Sequence, residues 1–499
     1  MVMHRLKIAG LIGIFFVGFL VRLYRFDGPV ADWHSWRQSD TSAVSKIFVR
    51  DGINILYPKY YDISNVQSGI DNPEGFRFVE FPIYNTVQAG LFNIFSENRC
   101  QANPPGGCTG LSLEEWGRLI SIFATLASAF FIFLLTKKYS NEISAFFAAC
   151  FMLFLPFSIY FGRTILPDPS MVASILAGIY FFDKWIEEKS KIKNQKYFIL
   201  SIVFTALAFL LKPYALFFAI PMVYLAHKKF GAKFIVNWQL WLFAIISLVP
   251  LILWRNWIFQ YPQGVPASNW LFNGNGIRFR PAFFRWIFYE RITRLILGYL
   301  GVIFLAAGVY GLKGMKNWGF FVSFIASSLL YLIVIATGNV QHDYYQILII
   351  PTISIICGIG AGLLFEKFGK NNLAKTFTVF LIFLSFFIAW FGISKKGLGG
   401  GVRDFFNIND RGMVAAGKKA DEILPKDAVV IAPYDGSTSF LYHIGRPGWP
   451  VFEKPIEDLI KMGANYLVIA NPTQSDFKGF GTMYPVVASS EAYLILKLK

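Results

Sequence analysis

Long apolar segments alternate with short polar connections through most of this 499-residue chain. A soluble domain has about a quarter of its residues charged, whereas 15% are charged here and 55% are hydrophobic. In windows of about 19 residues, about eleven segments are apolar and long enough to cross a bilayer. The sequence therefore predicts a polytopic α-helical membrane protein, with spans at residues 8–24, 116–136, 143–161, 169–186, 197–211, 213–226, 237–254, 293–312, 318–337, 345–365 and 374–393.

The connections between these spans are sorted by charge, which predicts their orientation. One set contains lysine but no arginine, and it comprises residues 137–142, 183–196, 227–236, 313–317 and 366–375. Because cations collect in cytoplasmic loops, this set and Met1 are predicted to be cytoplasmic. The same rule accounts for the formal charge of +17 without a nucleic-acid partner.

The first outer loop is long, at about residues 25–115. Its stretches 40–50 and 80–95 are predicted to be helices that lie in the outer membrane interface. Cys100 and Cys108 flank the sequence QANPPGG in this loop. A disulfide between them requires an oxidising compartment, and the sequence leaves that pairing open.

The hydropathy changes after residue 393. The glycine-rich stretch SKKGLGGG indicates a linker, and it is followed by helical patterns at 411–424 and 456–462. Strand-like segments occur at 428–432 and 466–470, with a strand pair near 484–498. Strands that alternate with helices predict a small extracytoplasmic α/β domain. The expected domains are therefore residues 1–395 in the membrane and residues 396–499 outside it.

The first outer loop begins with a concentration of ionisable residues. Asp32, His34, Arg37 and Asp40 lie within DWHSWRQSDT, just after the first span. Charged side chains are costly at the edge of the hydrocarbon region, so ionisable residues there are expected to be paired or functional. One interpretation is a salt-bridged cap on an interfacial helix, and the other is a carboxylate that removes a proton from an acceptor hydroxyl.

Two further outer segments combine carboxylates with proline. Glu80 precedes Phe81 and Pro82, where it either stabilises the start of a helix or serves a reaction. Arg163 and Asp168 share the turn GRTILPDPS. The alternative to function there is an N-cap by Asp168 and a snorkelling Arg163.

The outer loop 255–292 contains arginines, including Arg278, Arg280 and Arg285, but no lysine. The planar guanidinium suits bidentate phosphate contacts, which predicts binding of a lipid phosphate. Attraction to anionic headgroups is the alternative. Farther along, the outer end of a span is capped by His342, Asp343, Tyr344 and Tyr345. The tyrosines are candidates for an interfacial aromatic belt, and the His-Asp pair is a candidate for orienting a ligand.

These blocks occur in the order WRQSDT, EFPIY, GRTILPDPS, LLKPYA and QHDYYQILIIP. Together they resemble the membrane glycosyltransferases of the GT-C superfamily, in particular its protein O-mannosyltransferase and lipid A aminoarabinose transferase branch. The resemblance covers about residues 1–395. It implies a GT-C fold and an inverting transfer of a hexose or pentose from undecaprenyl or dolichyl phosphate to a lipid, glycan or protein acceptor.

The resemblance also implies roles for individual residues. The usual Asp-Glu pair of the first outer loop is replaced by WRQSDT, so the base is Asp32 or Asp40, with a preference for Asp40. The second-loop carboxylate corresponds to Glu80 and the acid of the later turn to Asp168. Lys212, before a helix break, corresponds to a phosphate partner. The remaining predicted substrate-binding residues are His34, Arg37, Arg163, Arg278, Arg280, Arg285, His342, Tyr344 and Tyr345.

A cofactor is not predicted from the sequence. In the aminoarabinose branch, outer-loop glutamate and histidine can hold zinc, but loop 255–292 contains no histidine. No metal ligand is therefore assigned, and a divalent metal is left open. The prediction is an enzyme of the inner membrane of a prokaryote, with its active site in the cell envelope. A flippase for lipid-linked sugars is the alternative, although transporters place polar groups near the bilayer midplane.

Overall fold

The structure is a computed structural model that describes residues 2–96, 110–367, 371–393 and 400–499, with side chains from residue 8 onwards. The chain forms two compact units. The helical unit comprises Met1–Phe26, Arg118–Trp254 and Ser268–Phe406, and the α/β unit comprises Asp27–Gly117, Arg255–Ala267 and Asn407–Lys499. The predicted domain boundary between residues 395 and 396 stays a prediction. Cys100 and Cys108 lie outside the described residues.

The helical unit contains a helix at each predicted span. Five described helices are long and apolar enough to cross a membrane, namely Leu113–Tyr139, Lys191–Leu211, Trp238–Ile258, Asp343–Lys367 and Asn372–Phe391. Shorter apolar helices occupy Ile8–Leu23, Glu142–Phe154 and Trp318–Val334. The other helices are Pro156–Phe161, Asp168–Glu187, Pro213–Ala219, Ile220–Phe230, Gly231–Val236, Trp270–Asn273, Ile277–Phe279, Pro281–Phe284, Arg285–Ile296, Gly301–Gly311, Leu312–Gly314, Ala336–Gln341 and Val402–Phe406. The prediction of a polytopic helical protein is confirmed.

One predicted span is wrong in its shape. The segment predicted at 293–312 contains a break, and the helices Pro281–Ile296 and Gly301–Gly314 meet there at 112°. Gly298 and Tyr299 have φ angles of 52° and 60°. This left-handed conformation cannot continue a right-handed helix, so the chain turns. Hydropathy averaged over a window detects the apolar composition of the segment, but it does not detect a change in the direction of the helix axis.

Glycines allow the central helices of this unit to approach closely. A Cβ atom on Gly308 would lie 2.0 Å from the carbonyl oxygen of Ile356, and one on Gly360 would lie 2.0 Å from that of Phe304. The helices Gly301–Gly311 and Ile350–Lys367 therefore contact each other through their backbones. Such contacts replace the hydrophobic drive that is absent between helices in lipid.

The α/β unit is built around a five-stranded sheet. Its strands are β1 (Val430–Ile431), β2 (Gly448–Trp449), β3 (Tyr466–Ala470), β4 (Val486–Ser489) and β5 (Tyr493–Lys497), in the order β2-β1-β3-β5-β4. β1 is parallel to β2 and β3, whereas β5 is antiparallel to β3 and β4. Trp449, Leu467 and Leu496 belong to the buried core on this sheet. The helices of the unit are Ser35–Asp51, Ile83–Phe95, Pro262–Gly264, Arg411–Ile423, Ser439–Ile444, Ile456–Lys461, Gln474–Lys478 and Phe480–Met483.

The predicted C-terminal elements of the α/β unit are confirmed, with four additions. The helix at 411–424, the strand at 466–470 and the terminal strand pair are present within one or two residues. The unpredicted elements are β2 and the helices Ser439–Ile444, Gln474–Lys478 and Phe480–Met483, each of which is too short to show a period. An isolated backbone bridge between Asp62 and Gly448 covers the outer edge of β2.

The two helices predicted in the first loop exist, but one differs in character. Ile83–Phe95 confirms a helix at 80–95. Helix Ser35–Asp51 covers the predicted stretch 40–50 and is buried at every position from Arg37 to Ser45. The predicted interfacial helix requires a polar face exposed to water, and the burial of this helix contradicts that expectation. Its buried side chains Gln38, Asp40 and Ser45 instead have hydrogen-bond partners within the α/β unit.

Candidate active site

The α/β unit presents Asp32 just before helix Ser35–Asp51. His34 occupies the N-cap position with a left-handed φ of 54°. This turn brings Gln38, in the first turn of the helix, back to Asp32. The Gln38 Nε2 amide donates a hydrogen bond of 2.7 Å to Asp32 Oδ1. Asp32 is therefore a buried carboxylate, 5% exposed, whose oxygen accepts from a neutral amide.

Asp40 lies in the second turn of the same helix, and both of its oxygens accept hydrogen bonds. Arg77 Nη2 donates to Asp40 Oδ2 at 2.5 Å. Thr438 Oγ1, from the C-terminal segment of this unit, donates to Asp40 Oδ1 at 2.5 Å. Both oxygens of a carboxylate that is 1% exposed are thus occupied. This arrangement stabilises the charge of Asp40 and ties three distant segments together.

Arg37 and Glu80 form a second ion pair in this unit. Arg37 also donates to Thr41 Oγ1 on its own helix. Glu80 directly precedes the Phe81-Pro82 step before helix Ile83–Phe95. The pair joins the two helices of the first loop, which shows how both residues are held. A role for either residue in a reaction stays a prediction.

A second carboxylate, Asp62, lies near Arg77. The ring of Tyr60 lies beneath the Arg77 guanidinium at 4.9 Å, and the Tyr60 hydroxyl donates to Asp62 Oδ2 at 3.3 Å. Burial, with a smaller contribution from Asp40, raises the pKa of Asp62 to about 6, against the opposing effects of the Ser64 hydrogen bonds and Arg77. Burial likewise holds the pKa of the Tyr60 hydroxyl well above 10. Asp40, Arg77, Tyr60 and Asp62 form one buried network.

The helical unit contains a separate ion pair between Asp168 and Lys212. Pro169 fixes the first turn of helix Asp168–Glu187, and Pro213 follows the end of helix Lys191–Leu211. The residue before a proline is restricted to extended conformations, and Lys212 has a φ of −164°. Lys212 Nζ lies 2.7 and 2.9 Å from the two oxygens of Asp168. The two residues are 6% and 3% exposed.

Aromatic rings surround this lysine. Its Nζ lies 5.3 Å from the ring centre of Tyr344, 5.5 Å from that of Tyr345 and 5.9 Å from that of Tyr214. His342 lies against Tyr344 at 5.6 Å. The structure therefore brings together four of the predicted residues, namely Asp168, Lys212, Tyr344 and Tyr345, with His342 next to them. The electron-rich faces of the rings favour a cation at this position.

A further ion pair joins Arg291 and Asp343. Arg291 donates to the carbonyl oxygen of Val340 and lies over the ring of Trp286 at 5.2 Å. The sequence places Arg291 among the arginines of loop 255–292 and Asp343 beside His342 in QHDYYQ, but no pattern in it relates the two residues to each other.

The predicted arginines occupy different surroundings. Arg278 Nη2 donates to the carbonyl oxygens of Phe272 and Val334. Arg280 is exposed, and the side chain of Arg285 is 66% exposed, 3.8 Å from Glu290. Arg163 is buried, donates to the carbonyl oxygen of Arg25 and lies over the ring of Phe406. Phosphate binding by these arginines stays a prediction.

No three His, Cys, Asp or Glu side chains in the described part of the chain are arranged to hold a metal ion. Metal dependence therefore stays open.

Comparison with known proteins identifies the fold. The sequence model of the dolichyl-phosphate-mannose-protein mannosyltransferase family matches residues 111–257. ArnT from Cupriavidus metallidurans in the apo state superposes with a TM-score of 0.64 at 10% identity, over 99% of this chain and 97% of that one. ArnT bound to undecaprenyl phosphate gives 0.62 at 11% identity, with the same coverage of both chains. No curated protein matches the sequence.

An archaeal structure extends the comparison. AglB, the oligosaccharyltransferase of Archaeoglobus fulgidus, in complex with an inhibitory peptide and a dolichol-phosphate, has a TM-score of 0.55 at 9% identity. The match covers 94% of this chain and 70% of AglB. The family match and these folds confirm the resemblance to the GT-C superfamily of membrane glycosyltransferases. The chain is an integral membrane protein with a GT-C fold.

Proposed function

We propose that this protein transfers a sugar from a polyprenyl-phosphate donor to an acceptor at the outer face of the membrane. Two buried carboxylates, Asp32 before helix Ser35–Asp51 and Asp40 in its second turn, are the observation that carries the proposal, because acceptor hydroxyls and amines are poor nucleophiles. A placed carboxylate assists their deprotonation. ArnT with undecaprenyl phosphate and AglB with a dolichol-phosphate support this class of donor.

Of the two candidate bases, we now favour Asp32 over Asp40. Both oxygens of Asp40 accept hydrogen bonds, from Arg77 and Thr438. Asp32 has a hydrogen bond from the neutral amide of Gln38 and lies at the start of the helix. In the proposed step the acceptor oxygen or nitrogen attacks the anomeric carbon, its proton passes to Asp32, and the bond to the phosphate oxygen breaks. A single displacement of this kind inverts the anomeric carbon.

The departing polyprenyl phosphate gains negative charge and needs cationic groups. We propose that Lys212 supplies one of them. Asp168 and the three tyrosine rings hold the ammonium group in place, so little reorganisation is needed when charge develops. Asp168 then serves as a positioning residue for Lys212. A prokaryotic inner membrane, with the site on the extracytoplasmic side, fits the lysine-rich connections on the opposite side.

Release of free polyprenyl phosphate tests the proposal. Purified protein is incubated with a panel of polyprenyl-phosphate sugars and a membrane extract, and the lipid is followed by mass spectrometry. Asp32→Asn is expected to reduce release by about 10²- to 10⁴-fold, the usual contribution of general acid–base catalysis. Asp71→Asn is the matched control, because Asp71 forms a surface ion pair with Lys454.

Different outcomes separate the alternatives. A large loss with Asp40→Asn and none with Asp32→Asn, in folded proteins, would make Asp40 the base. Glu80→Gln, measured in the same release assay, tests whether the Arg37–Glu80 ion pair contributes to the reaction. If no donor releases polyprenyl phosphate while the folded protein moves the lipid-linked sugar across vesicles, the protein is a transporter.

A further inference from the structure

An apolar groove lies within the helical unit and has no role in the proposed reaction. Its volume is about 1050 Å³, at the upper end of the range for ligand pockets. Its walls come from the helices Val2–Leu20, Leu113–Tyr139, Glu142–Phe154 and Asn372–Phe391. We call it the lysine-end groove, because its charged lining residues, Lys137 and Glu142, come from the connection 137–142.

The groove is an open space rather than a packing fault between tight helices. Gly10 and Gly13 line it, and a Cβ atom on either would meet nothing within 4 Å. Ile8 and Val17 are each 46% exposed, and Phe383 is 66% exposed. Apolar side chains with this exposure, on helices of membrane-spanning composition, contact lipid chains rather than water.

Charge is confined to one end of the groove. Lys137 and Glu142 form an ion pair of 2.9 Å, with their side chains 49% and 41% exposed. Lys375 lies 5.3 Å above the ring of Phe365, which also lines the groove. Glu366, next to Phe365, accepts hydrogen bonds from Asn141 Nδ2 at 3.3 and 3.4 Å, so two lysines and two glutamates lie at this end. The ammonium groups of Lys137 and Lys375 are the complement of a lipid phosphate, and the apolar walls are the complement of acyl chains.

We propose that the lysine-end groove binds an anionic glycerophospholipid of the surrounding leaflet, with its acyl chain along the apolar walls and its phosphate at Lys137 and Lys375. The site is independent of the proposed sugar transfer. Its lipid is a bound structural partner and undergoes no reaction.

The test measures lipid retention and does not depend on enzymatic activity. Protein in detergent is titrated with phosphatidylglycerol and examined by native mass spectrometry. Gly13→Leu fills the open space and is expected to weaken lipid binding by at least about tenfold. This is the loss of affinity expected when a few methylene contacts are displaced. Gly90→Leu is the matched control, because Gly90 also faces open space, on helix Ile83–Phe95 outside the groove.

The charged end is tested separately. Lys137→Gln is expected to remove most of the preference for phosphatidylglycerol over phosphatidylcholine. The proposal is overturned if Gly13→Leu and Gly90→Leu retain equal lipid, or if the wild-type protein does not distinguish the two headgroups. Undecaprenyl phosphate that displaces phosphatidylglycerol at equal concentration would also overturn it, by assigning the groove to the carrier lipid.

A native thiol provides a second readout should Gly13→Leu fold poorly. Cys150 lines the groove and is partly exposed, whereas Cys357 is buried. Phosphatidylglycerol is expected to slow alkylation of Cys150 by N-ethylmaleimide, measured on its peptide, while phosphatidylcholine slows it less. Equal alkylation with and without phosphatidylglycerol would contradict occupancy of the groove.

Discussion

The buried ion pair Asp168–Lys212 of the helical unit and the buried ion pair Asp40–Arg77 of the α/β unit both contain candidate site residues, but they are built differently. Asp168 and Lys212 lie at the ends of neighbouring helices, and tyrosine rings enclose the ammonium group. Asp40 and Arg77 belong to a network that also contains Thr438, 398 residues from Asp40. The first pair depends on local helix ends, whereas the second depends on the completed fold of its unit.

The charge balance of the two pairs also differs. Asp168 and Lys212 are one carboxylate and one ammonium, so their charges cancel. In the α/β unit a single guanidinium, Arg77, serves Asp40 and influences Asp62 as well. A buried site with one more carboxylate than cation depends more strongly on that cation. The two pairs are therefore expected to respond unequally to mutation and to pH.

The largest expected effect is from Arg77→Met. Removing one partner of a buried pair costs about 3–5 kcal/mol, because the other charge is left uncompensated. The loss is expected at the upper end for Arg77→Met and nearer the lower end for Lys212→Met, which strands only Asp168. Thermal or denaturant unfolding in detergent measures both. Equal losses would show that Asp62 does not add to the charge imbalance.

The next largest effect is a pH dependence of the free energy of unfolding, which is expected from Asp62 in the α/β unit. The pKa of Asp62 is raised from 3.8 to about 6 in the folded protein. A raised carboxyl pKa favours the folded state while the group is protonated, so this contribution is lost as the pH rises from about 4 through 6. At about 1.4 kcal/mol per pKa unit, the loss is about 3 kcal/mol.

Asp62→Asn removes this ionisation. Relative to the wild type, the variant is expected to be more stable at pH 8 than at pH 4.5, by up to that amount. Unfolding curves at both pH values give the difference. A stability difference that does not change with pH would contradict the raised pKa. Asp71→Asn, at the protein surface, is the control and is expected to change little between the two pH values.

A smaller effect is expected from Gly360→Ala in the helical unit. Its new Cβ atom would lie 2.0 Å from the Phe304 carbonyl oxygen, so the helices must separate. Overpacking of this kind costs about 1–3 kcal/mol. Thermal unfolding is compared with that of Gly13→Ala, where the Cβ atom meets open space. If the two alanine variants unfold at the same temperature, close backbone packing does not stabilise this unit.

The smallest effect is expected from Thr473→Ala in the α/β unit. Thr473 and Asp476 form a capping box on the exposed helix Gln474–Lys478. Loss of an N-cap costs about 1 kcal/mol. Chemical denaturation measures the change, and Thr473→Ser, which keeps the hydroxyl, should restore most of the stability. An alanine variant as stable as the serine variant would show that the cap adds nothing here.

The sequence predicted the parts of the molecule that depend on local pattern. The apolar segments, the C-terminal strands and the proximity of Asp168, Lys212 and QHDYYQ to helix ends all follow from composition and spacing. Pro169 and Pro213 made the positions of Asp168 and Lys212 predictable, because prolines fix where helices begin and end.

The parts that were not predicted depend on distant pairing. No period in the sequence relates Arg77 or Thr438 to Asp40. The bend at Gly298 and Tyr299 is a backbone property that hydropathy does not report. The stretch 40–50 was predicted to be interfacial because its polar residues were assumed to face water. They are buried instead, and Asp40 and Ser45 bond to side chains that come from elsewhere in the α/β unit.

The bridge between Asp62 and Gly448 has a consequence for biosynthesis. Because the first loop supplies a backbone bridge to β2, and Thr438 bonds Asp40, the α/β unit cannot finish folding until the ribosome has released its final segment. Domains usually fold in order from the N-terminus during synthesis. Here the nascent first loop must wait for Thr438 and Gly448 while every intervening helix is inserted, so truncations late in the chain are expected to affect this unit most.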